Sequence, residues 1–531
     1  MVDYQNLLTE IDLLYNKKSD LKLVPAPSHF PSSYTTAYDG QQMAVQKLMA
    51  SKDCLLSSHT GSGKTIVFLS AAKALGKATM VIEPKKFLQA QVSTYYDDVV
   101  IYGKSHYPCN YSDNAATAPC LMKQLDDDGK RCFYVFNHKT DSFDIKKYPC
   151  HNCKYIEQMN IAKAALNEED VIIVNFGNFW SYLKSAKVII IDEADAFYKS
   201  IMVGTKLKYT EKLLDTVGKT LDNELHFIDK KLEELSNKSP RDFSEQSFIA
   251  KEYNNVRDKR DKLKFFAEHI DMCFQYEHQN YKTKEKDFYV ELNPKYTEIL
   301  KDKIFANKIV WTVTATPSDF KSTENIINYS VPQRTRVFYT PISLMTSNYC
   351  FTKNNQHVFK DCAEFIINMN SIFTSLYKSD KAIVHTGNLL HHAKELMEYM
   401  PKDKCIVHSS GKLLETVEEF RKSDKRFLLI VGADHGLDLS GINHQFILKV
   451  PFASEDDRMK EIKKQMTAEE FSFFYNMDAI NRLVQSSGRA GRGADSFGCT
   501  FIMDRKFREV YFKFKNYLPA WFLEKLDDNV Y

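Results

Sequence analysis

The run Ser58-His59-Thr60-Gly61-Ser62-Gly63-Lys64-Thr65 restricts the fold of this chain more than any other stretch. It follows the apolar segment Cys54-Leu55-Leu56 and precedes Ile66-Val67-Phe68-Leu69, so a buried strand leads through a glycine-rich turn into a helix. A triphosphate-binding loop requires that context. Gly61 and Gly63 let backbone N–H groups approach phosphate oxygens, and the helix N-terminus favours their negative charge. Lys64 is expected to reach the β and γ phosphates of ATP and the Thr65 hydroxyl to sit on magnesium (Mg2+), with Thr60, Gly61, Ser62 and Gly63 lining the loop. Ser58 stands where such loops commonly begin with glycine.

A loop of this kind sits at the edge of a parallel sheet, and the sequence supplies the strands. Short aliphatic runs recur at Met80-Val81-Ile82, Val171 to Val174, Val188 to Ile191, Ile309-Val310-Trp311, Ala382-Ile383-Val384 and Phe427 to Val431. Each is short, β-branched and bounded by Gly, Pro or acidic residues, which is the pattern of strands buried on both faces. Two sets appear, one before about residue 340 and one after. The expected fold is α/β, with two parallel-sheet P-loop-like domains.

The chemistry-bearing residues lie at the ends of these elements. Val188 to Ile191 runs into Asp192-Glu193-Ala194-Asp195. A carboxylate there is placed to hold hydrated magnesium, and its neighbour to orient or deprotonate an attacking water, so Asp192 and Glu193 take those roles. The plain alternative is a solvated acidic run. Towards the C-terminus, Gln485-Ser486-Ser487-Gly488-Arg489-Ala490-Gly491-Arg492 sets Arg489 and Arg492 on one helical face. Such guanidinium groups can stabilise charge on a transferring phosphoryl, or bind any other anion.

Composition bounds the rest. Of 531 residues, 44% are hydrophobic and 27% charged, an ordinary globular balance. No run approaches the roughly 18 apolar residues that span a bilayer. Met1-Val2-Asp3-Tyr4 lacks a secretory layout, so an intracellular location and no membrane partner are expected. That means the cytoplasm of a bacterium or phage-infected cell, or the nucleus if the source is eukaryotic. The net charge of +3 neither supports nor excludes nucleic acid, since a local basic groove is enough to bind it. With both nucleotide-facing halves in one chain, a monomer suffices.

Two stretches interrupt the first set of strands. Residues 103 to about 160 hold five of the eleven cysteines, Cys109, Cys120, Cys132, Cys150 and Cys153, with little periodicity. In a reducing compartment that clustering favours a metal site over disulfides. Four thiolates suit zinc or an iron–sulfur cubane, and the residues alone leave these two level, with free thiols as a third reading. Residues 200 to about 295 are charged, with Leu225, Ile228, Leu232, Leu235, Phe248, Val256, Leu263, Phe266 and Ile270 at helical spacing around the turn signal Ser236 to Pro240. A helical hairpin is expected, with a partner-binding coiled coil as alternative.

Taken in order, these motifs resemble superfamily two helicases, and more narrowly the XPD/DinG iron–sulfur group. Asp192-Glu193-Ala194-Asp195 is similar to the second helicase motif, Thr314-Ala315-Thr316 to the third, and Gln485 to Arg492 to the sixth. Gly432 to Asp438, with Leu439-Ser440-Gly441 and Val450-Pro451-Phe452, resembles the fifth. Glu83-Pro84 through Leu88 and Gln91 resembles motif Ia, a nucleic-acid contact, and Gln41 or Gln42 after Tyr38 resembles an adenine-reading Q motif. Asp195 departs from the group's usual His, and His385-Thr386-Gly387-Asn388 from its Phe-Ser pattern.

The resemblance implies a catalytic set of Lys64, Asp192, Glu193, Gln485, Arg489 and Arg492, with Gln41, Gly436 and Asp438 as further nucleotide contacts. It implies a first RecA-like motor domain in three parts, residues 1–102, 161–199 and 296–340, and a second at 341–531. An iron–sulfur insertion would occupy 103–160 and a helical arch 200–295. On this basis Cys109, Cys120, Cys150 and Cys153 are the ligands of a [4Fe-4S] cluster, zinc is the alternative, Cys132 is the reserve ligand and His151 a bystander. The implied activity is ATP-dependent 5′→3′ translocation on single-stranded DNA, unwinding duplex, forked or R-loop substrates. A translocase or RNA helicase without processive unwinding is the second reading. The third is a nucleotide-switched platform whose arch docks a protein partner.

Overall fold

A computed structural model describes residues 4–17, 22–84, 86–122, 124–125, 128–137, 139–140, 142–194, 196–197, 206–209, 219–238, 243–279, 286–316, 325–343, 356–387, 390–408, 413–431, 441–491 and 496–526. Asp195, Gly436, Asp438, Arg492 and most of the fifth-motif segment fall outside them, as do the side chains of Gln91 and Phe266. The chain forms two compact units, Met1–Ala71, Val313–Ser454 and Thr467–Tyr531 in the first, Ala72–Thr312 and Glu455–Met466 in the second. The strands of the parallel sheets are β1 (Asp53–Ser57), β2 (Thr79–Glu83), β3 (Val99–Ile101), β4 (Val171–Asn175), β5 (Val188–Ile191), β6 (Ile309–Thr314), β7 (Ile326–Asn328), β8 (Arg334–Ser343), β9 (Ala382–His385), β10 (Cys405–Val407), β11 (Phe427–Ile430), β12 (His444–Ile447) and β13 (Phe497–Asp504). The aliphatic runs read from the sequence lie in these strands, with only Val431 falling just beyond β11. This is the expected α/β architecture of two RecA-like parallel sheets.

In the second unit, β6, β5, β2, β4 and β3 are neighbours in that order and all parallel. Every residue of β2 and β5 is buried, because helices cover both faces of such a sheet and only continuous apolar runs suit it. The chain therefore leaves the same edge of the sheet after Glu83, Asn175 and Ile191, the edge where open α/β sheets bind ligands.

In the first unit, β7 pairs with β1, and a six-stranded parallel sheet runs in the order β8-β13-β12-β9-β11-β10. Phe338, Phe359, Phe365, Phe373, Phe446 and Phe501 fill its core. Leu7 and Ile11 of the N-terminal helix Tyr4–Asn16 join that core, although chain order alone groups this helix with the phosphate loop. Beside β13, Gly491 sits at φ +64°, and a Cβ there would meet Gly498 Cα, Gly498 N and Phe497 O, each at 2.8 Å. Only glycine permits both the left-handed turn and that approach. Gly491→Ala is expected to cost at least about 2 kcal/mol more than Gly441→Ala, read from urea midpoints. Gly441 shares the positive φ but has nothing within 4 Å of its Cβ position.

The insertions hold structure that periodicity missed. Within the cysteine-rich stretch, Gln124–Leu125, Arg131–Asn137 and Ser142–Lys147 form a small antiparallel sheet. The stretch expected to be a helical hairpin does contain helices Lys219–Ser236 and Phe243–Glu268. It is not wholly helical, since Leu207–Tyr209, Cys273–Gln279 and Lys286–Leu292 add a three-stranded antiparallel sheet. Ile228, Leu232 and Leu263 pack with Val290 of that sheet, whereas Phe248 of the expected apolar stripe is exposed. Helix Asp457–Gln465 also docks here, with Arg458 Nε 2.5 Å from the buried Glu291 carboxylate and His278 Nδ1 3.0 Å from Asp457. Among the described residues, no helix is long and apolar enough to cross a membrane.

Candidate nucleotide site and cysteine cavity

The glycine-rich loop joins β1 to the helix Lys64–Leu75, as its flanking apolar runs require. Gly61 and Gly63 adopt φ of +81° and +79°, so the loop turns where only glycine turns freely. A Cβ on Gly63 would meet Gln41 Nε2 at 2.5 Å. Gln41 is buried against the loop: its Nε2 donates to Ser62 O at 2.8 Å, and its Oε1 accepts from Tyr38 N at 3.1 Å. Of the two glutamines in the segment that resembles a Q motif, Gln41 is thus seen to touch the loop. Lys64 Nζ donates to Ser58 O and His59 O, both at 3.1 Å, curling over carbonyls of its own loop.

A segment far along the chain braces this loop, and sequence reasoning missed it. Ser58 Oγ donates to Tyr329 O at 2.7 Å, the Tyr329 hydroxyl lies 3.2 Å from Ser62 Oγ, and Gln333 Nε2 donates to Thr60 O at 3.3 Å. His59 is buried, with Nδ1 3.0 Å from Thr60 O and Nε2 2.9 Å from Val331 O and 3.2 Å from Val331 N. Burial, reinforced by the Lys525 and Lys64 ammonium groups, pushes the His59 pKa down to about 3.

The arginine motif meets the same loop. A Cβ on Gly488 would lie 2.8 Å from Thr60 Oγ1, so the chain between Gln485 and Arg489 presses directly on the phosphate loop. Arg489 is buried at 2% exposure, and Gln485 is buried one helical turn before it. Their placement depends on Gln445 of β12, whose Nε2 donates to Ser486 O at 2.8 Å, Ser487 O at 2.9 Å and Thr500 Oγ1 at 2.8 Å. Gln445 thereby holds the last carbonyls of helix Ala468–Ser487. His385 Nε2 lies 3.2 Å from Gln445 Oε1, which gives the atypical fourth-motif residue a structural partner. A polar residue inside a buried strand was the available signal for Gln445. Thr314 and Thr316 of the third-motif sequence are buried and paired through their hydroxyls at 3.2 Å.

In the second unit, Asp192 and Glu193 follow β5 at the ligand-binding edge. Asp192 N donates to Ile82 O at 3.2 Å, and Glu193 N donates to Asp192 Oδ1 at 2.9 Å. Glu193 takes φ +46°, an unfavourable turn for a side-chain-bearing residue and typical of functional sites. Glu83, the first residue of the segment that resembles motif Ia, is completely buried beside this pair. Burial and then the Asp192 and Glu193 charges hold its carboxyl well above the usual range.

All four cysteines named as ligands line one cavity of about 440 Å³ in the second unit, with Lys104, Lys163 and Arg257 on its wall. Cys132 lies buried in strand Arg131–Asn137 and His151 is exposed; neither lines the cavity. Burial and the neighbouring Cys153, Cys120 and Cys109 push the Cys150 thiol up to about 12. Among the described residues, no three Cys, His, Asp or Glu side chains stand close enough together to hold a metal ion. The donor set nevertheless fits a soft metal centre: four thiols, three nearby cations to balance thiolate charge, and ample room. Helix Phe243–Glu268 seals one side, with Asn254 Nδ2 donating to Ala116 O at 2.7 Å and Met122 packed on Ile249 and Ala250.

Comparison with known proteins agrees with this geometry. Residues 38–119 match the DEAD/DEAH box helicase family, and residues 368–525 the helicase C-terminal domain family. UvrABC system protein B of Xylella fastidiosa is 31% identical over 206 residues, 35% of this chain and 27% of that protein. The general transcription and DNA repair factor IIH helicase subunit XPD/RAD3 of Saccharomyces cerevisiae is 25% identical over 149 residues, 25% of this chain and 19% of that protein. The matched segments thus span less than a third of either relative. In fold, the chain is similar to a solved XPD helicase, with a TM-score of 0.57, 14% identity, and coverage of 92% of this chain and 98% of that one. It is similar also to Xpd4 of S. tokodaii, with a TM-score of 0.52, 12% identity and the same coverages of 92% and 98%. Two helicase domains are thus present in order, on a fold similar to that of the solved XPD helicases.

Proposed function

We propose that this chain is an ATP-driven motor that moves 5′→3′ along single-stranded DNA and opens duplex, forked or R-loop substrates. The observation that carries the reading is the contact of Thr60 with Gly488, which sets the phosphate loop against the segment of Arg489. In this reading Lys64 and the loop N–H groups bind the triphosphate, with Thr65 and Asp192 on magnesium and Glu193 orienting the attacking water. Arg489 and Arg492 stabilise charge on the transferring phosphoryl, with Gln485 beside them and Gly436 and Asp438 as further nucleotide contacts. Gln41 reads adenine, because a carboxamide offers one N–H and one lone pair beyond its two bonds to the loop and Tyr38. Phosphate-backbone contacts make strand binding tolerant of sequence and sensitive to salt. Direction of movement rests on the family resemblance.

ATP hydrolysis measured with and without single-stranded DNA tests the motor, and directional unwinding of forked DNA tests its output. Strong stimulation and unwinding of a fork with a 5′ tail are expected. Little stimulation would favour a nucleotide-switched platform, and equal action on RNA a broader remodelling enzyme.

Cys109, Cys120, Cys150 and Cys153 would hold a [4Fe-4S] cluster, with zinc as the competing occupant. Such a centre supplies a rigid cross-link between chain segments that contain little regular structure of their own. Cys153→Ser is expected to abolish the visible absorbance of anaerobically purified protein. It should lower unwinding more than basal ATP hydrolysis and expose helix Phe243–Glu268 to protease, because that helix seals the cavity. Colourless wild-type protein carrying zinc would overturn the cluster assignment.

A further inference from the structure

Of the chain's three tryptophans, Trp311 and Trp521 are buried, while Trp180 is 52% exposed. Its position is rigid. Asn175, the last residue of β4, accepts hydrogen bonds from Gly177 N and Asn178 N through Oδ1, both at 3.0 Å, and Asn178 Nδ2 donates to Tyr102 O at 2.6 Å. The following turn, Phe179–Ser181, is closed by Ser181 N donating to Asn178 O at 3.0 Å and Tyr182 N to Phe179 O at 3.1 Å. On either side of Trp180 the chain is anchored by side chains that are almost wholly buried, Phe179 and Tyr182. An indole carried on a fixed turn loses little conformational freedom when it stacks on a partner, unlike one on a loose loop.

Two neighbours indicate what that partner is. Ser181, next in the chain, lines the cavity whose wall includes Lys104, Lys163 and Arg257, and Lys184 is exposed three residues further on. A half-exposed indole close to the exposed Lys184 is the pattern that binds single strands, a base on the ring and a phosphate on the charge. The turn is also joined to the catalytic segment. Phe179 packs on Phe197 with ring centroids 5.7 Å apart, and Phe176 packs on Phe197 at 5.0 Å. Phe197 N donates to Glu193 O at 3.2 Å, so this aromatic cluster sits on the helical turn that begins at Glu193.

We propose that Trp180 is a base-stacking platform for single-stranded DNA, anchored through Phe179 and Phe197 to the segment that carries Asp192 and Glu193. The inference rests on the strand-motor reading and assigns one of its DNA contacts. Strand binding on the ring presses on Phe179, and the same rings flank the residues that handle the attacking water. DNA occupancy and ATP turnover are coupled at this point.

The test uses the full chain with an oligo-dT probe and three readouts: tryptophan fluorescence, anisotropy of labelled oligo-dT, and ATP hydrolysis as a function of oligo-dT concentration. Wild-type fluorescence is expected to quench on binding, and Trp180→Phe to lose that quench while binding nearly as well. Trp180→Ala should raise the dissociation constant about tenfold. The oligo-dT concentration for half-maximal ATPase stimulation should rise by a similar factor, with hydrolysis in the absence of DNA unchanged. The indole is half exposed and packs on Phe179 with ring centroids 4.4 Å apart, so Trp180→Phe, which keeps a ring there, controls for folding. Wild-type binding and stimulation in Trp180→Ala would overturn the platform while leaving the motor intact. Failure of the wild-type chain to bind oligo-dT at all would instead overturn the strand-motor reading on which it rests.

Discussion

Lys64→Ala is expected to lower ATP turnover at least about a hundredfold, the scale of losing one preorganised charge from a phosphoryl-transfer site. The argument starts from what surrounds the ammonium group. Among the described residues it donates to Ser58 O and His59 O, neutral carbonyls of the same loop, each at 3.1 Å. Replacing them with phosphate oxygens exchanges neutral partners for charged ones at the N-terminus of helix Lys64–Leu75, where the backbone field already favours an anion. Alanine removes the cation and leaves intact the braces from Tyr329, Val331 and Gln333, so the loop should keep its shape. Phosphate release by Lys64→Ala, set beside its gel shift on single-stranded DNA, separates the possibilities. Turnover lost with strand binding retained is the expected pair. Strand binding lost as well would make the loop a structural element, and wild-type turnover would put the nucleotide elsewhere.

A marked acid lability is the second large effect. His59 and His444 are held neutral with pKa values of about 3, and His392 with one of about 4, in each case chiefly by burial. In the unfolded chain each takes up a proton near pH 6.5. The unfolded state therefore binds more protons as pH falls below that value, while the folded state binds almost none until pH approaches 3 to 4. Stability is complete above pH 6.5 and is lost progressively below it, by about 2 kcal/mol per histidine at pH 5. Three such groups remove about 4–6 kcal/mol, a large share of a domain's total. All three lie in the unit that contains the six-stranded sheet. Urea midpoints at pH 7.5 and pH 5 measure the loss directly. His444→Gln should reduce the acid sensitivity by about one histidine's share, because glutamine can still face Asn370 but cannot take up the proton. An unchanged pH slope in that variant would show that His444 does not enter folding as a neutral buried ring.

The sequence by itself determined the elements whose cause is local. Val188 to Ile191 is a strand because four consecutive branched residues can be buried on both faces only in a covered sheet. The turn at Gly61 to Gly63 follows from the positive φ that glycine tolerates, and the helix hairpin from the spacing of Ile228, Leu232 and Leu263. Partners far apart in the chain left no such trace. Ser58 meets Tyr329 across 271 positions and Gln445 meets Ser486 across 41, through single hydrogen bonds that no periodicity encodes. The burial of Glu83 beside Asp192 was equally hidden, since it depends on β2 and β5 being neighbours in a sheet whose order does not follow the chain. The strand hairpin Cys273–Gln279 and Lys286–Leu292 escaped because its mix of polar and aromatic residues becomes an alternation only once one face has a core to cover. Tertiary structure decided those points. A side chain's short-range preferences depend on its own chemistry and immediate neighbours, whereas its contacts are set by which distant segments the closing of the fold brings to it.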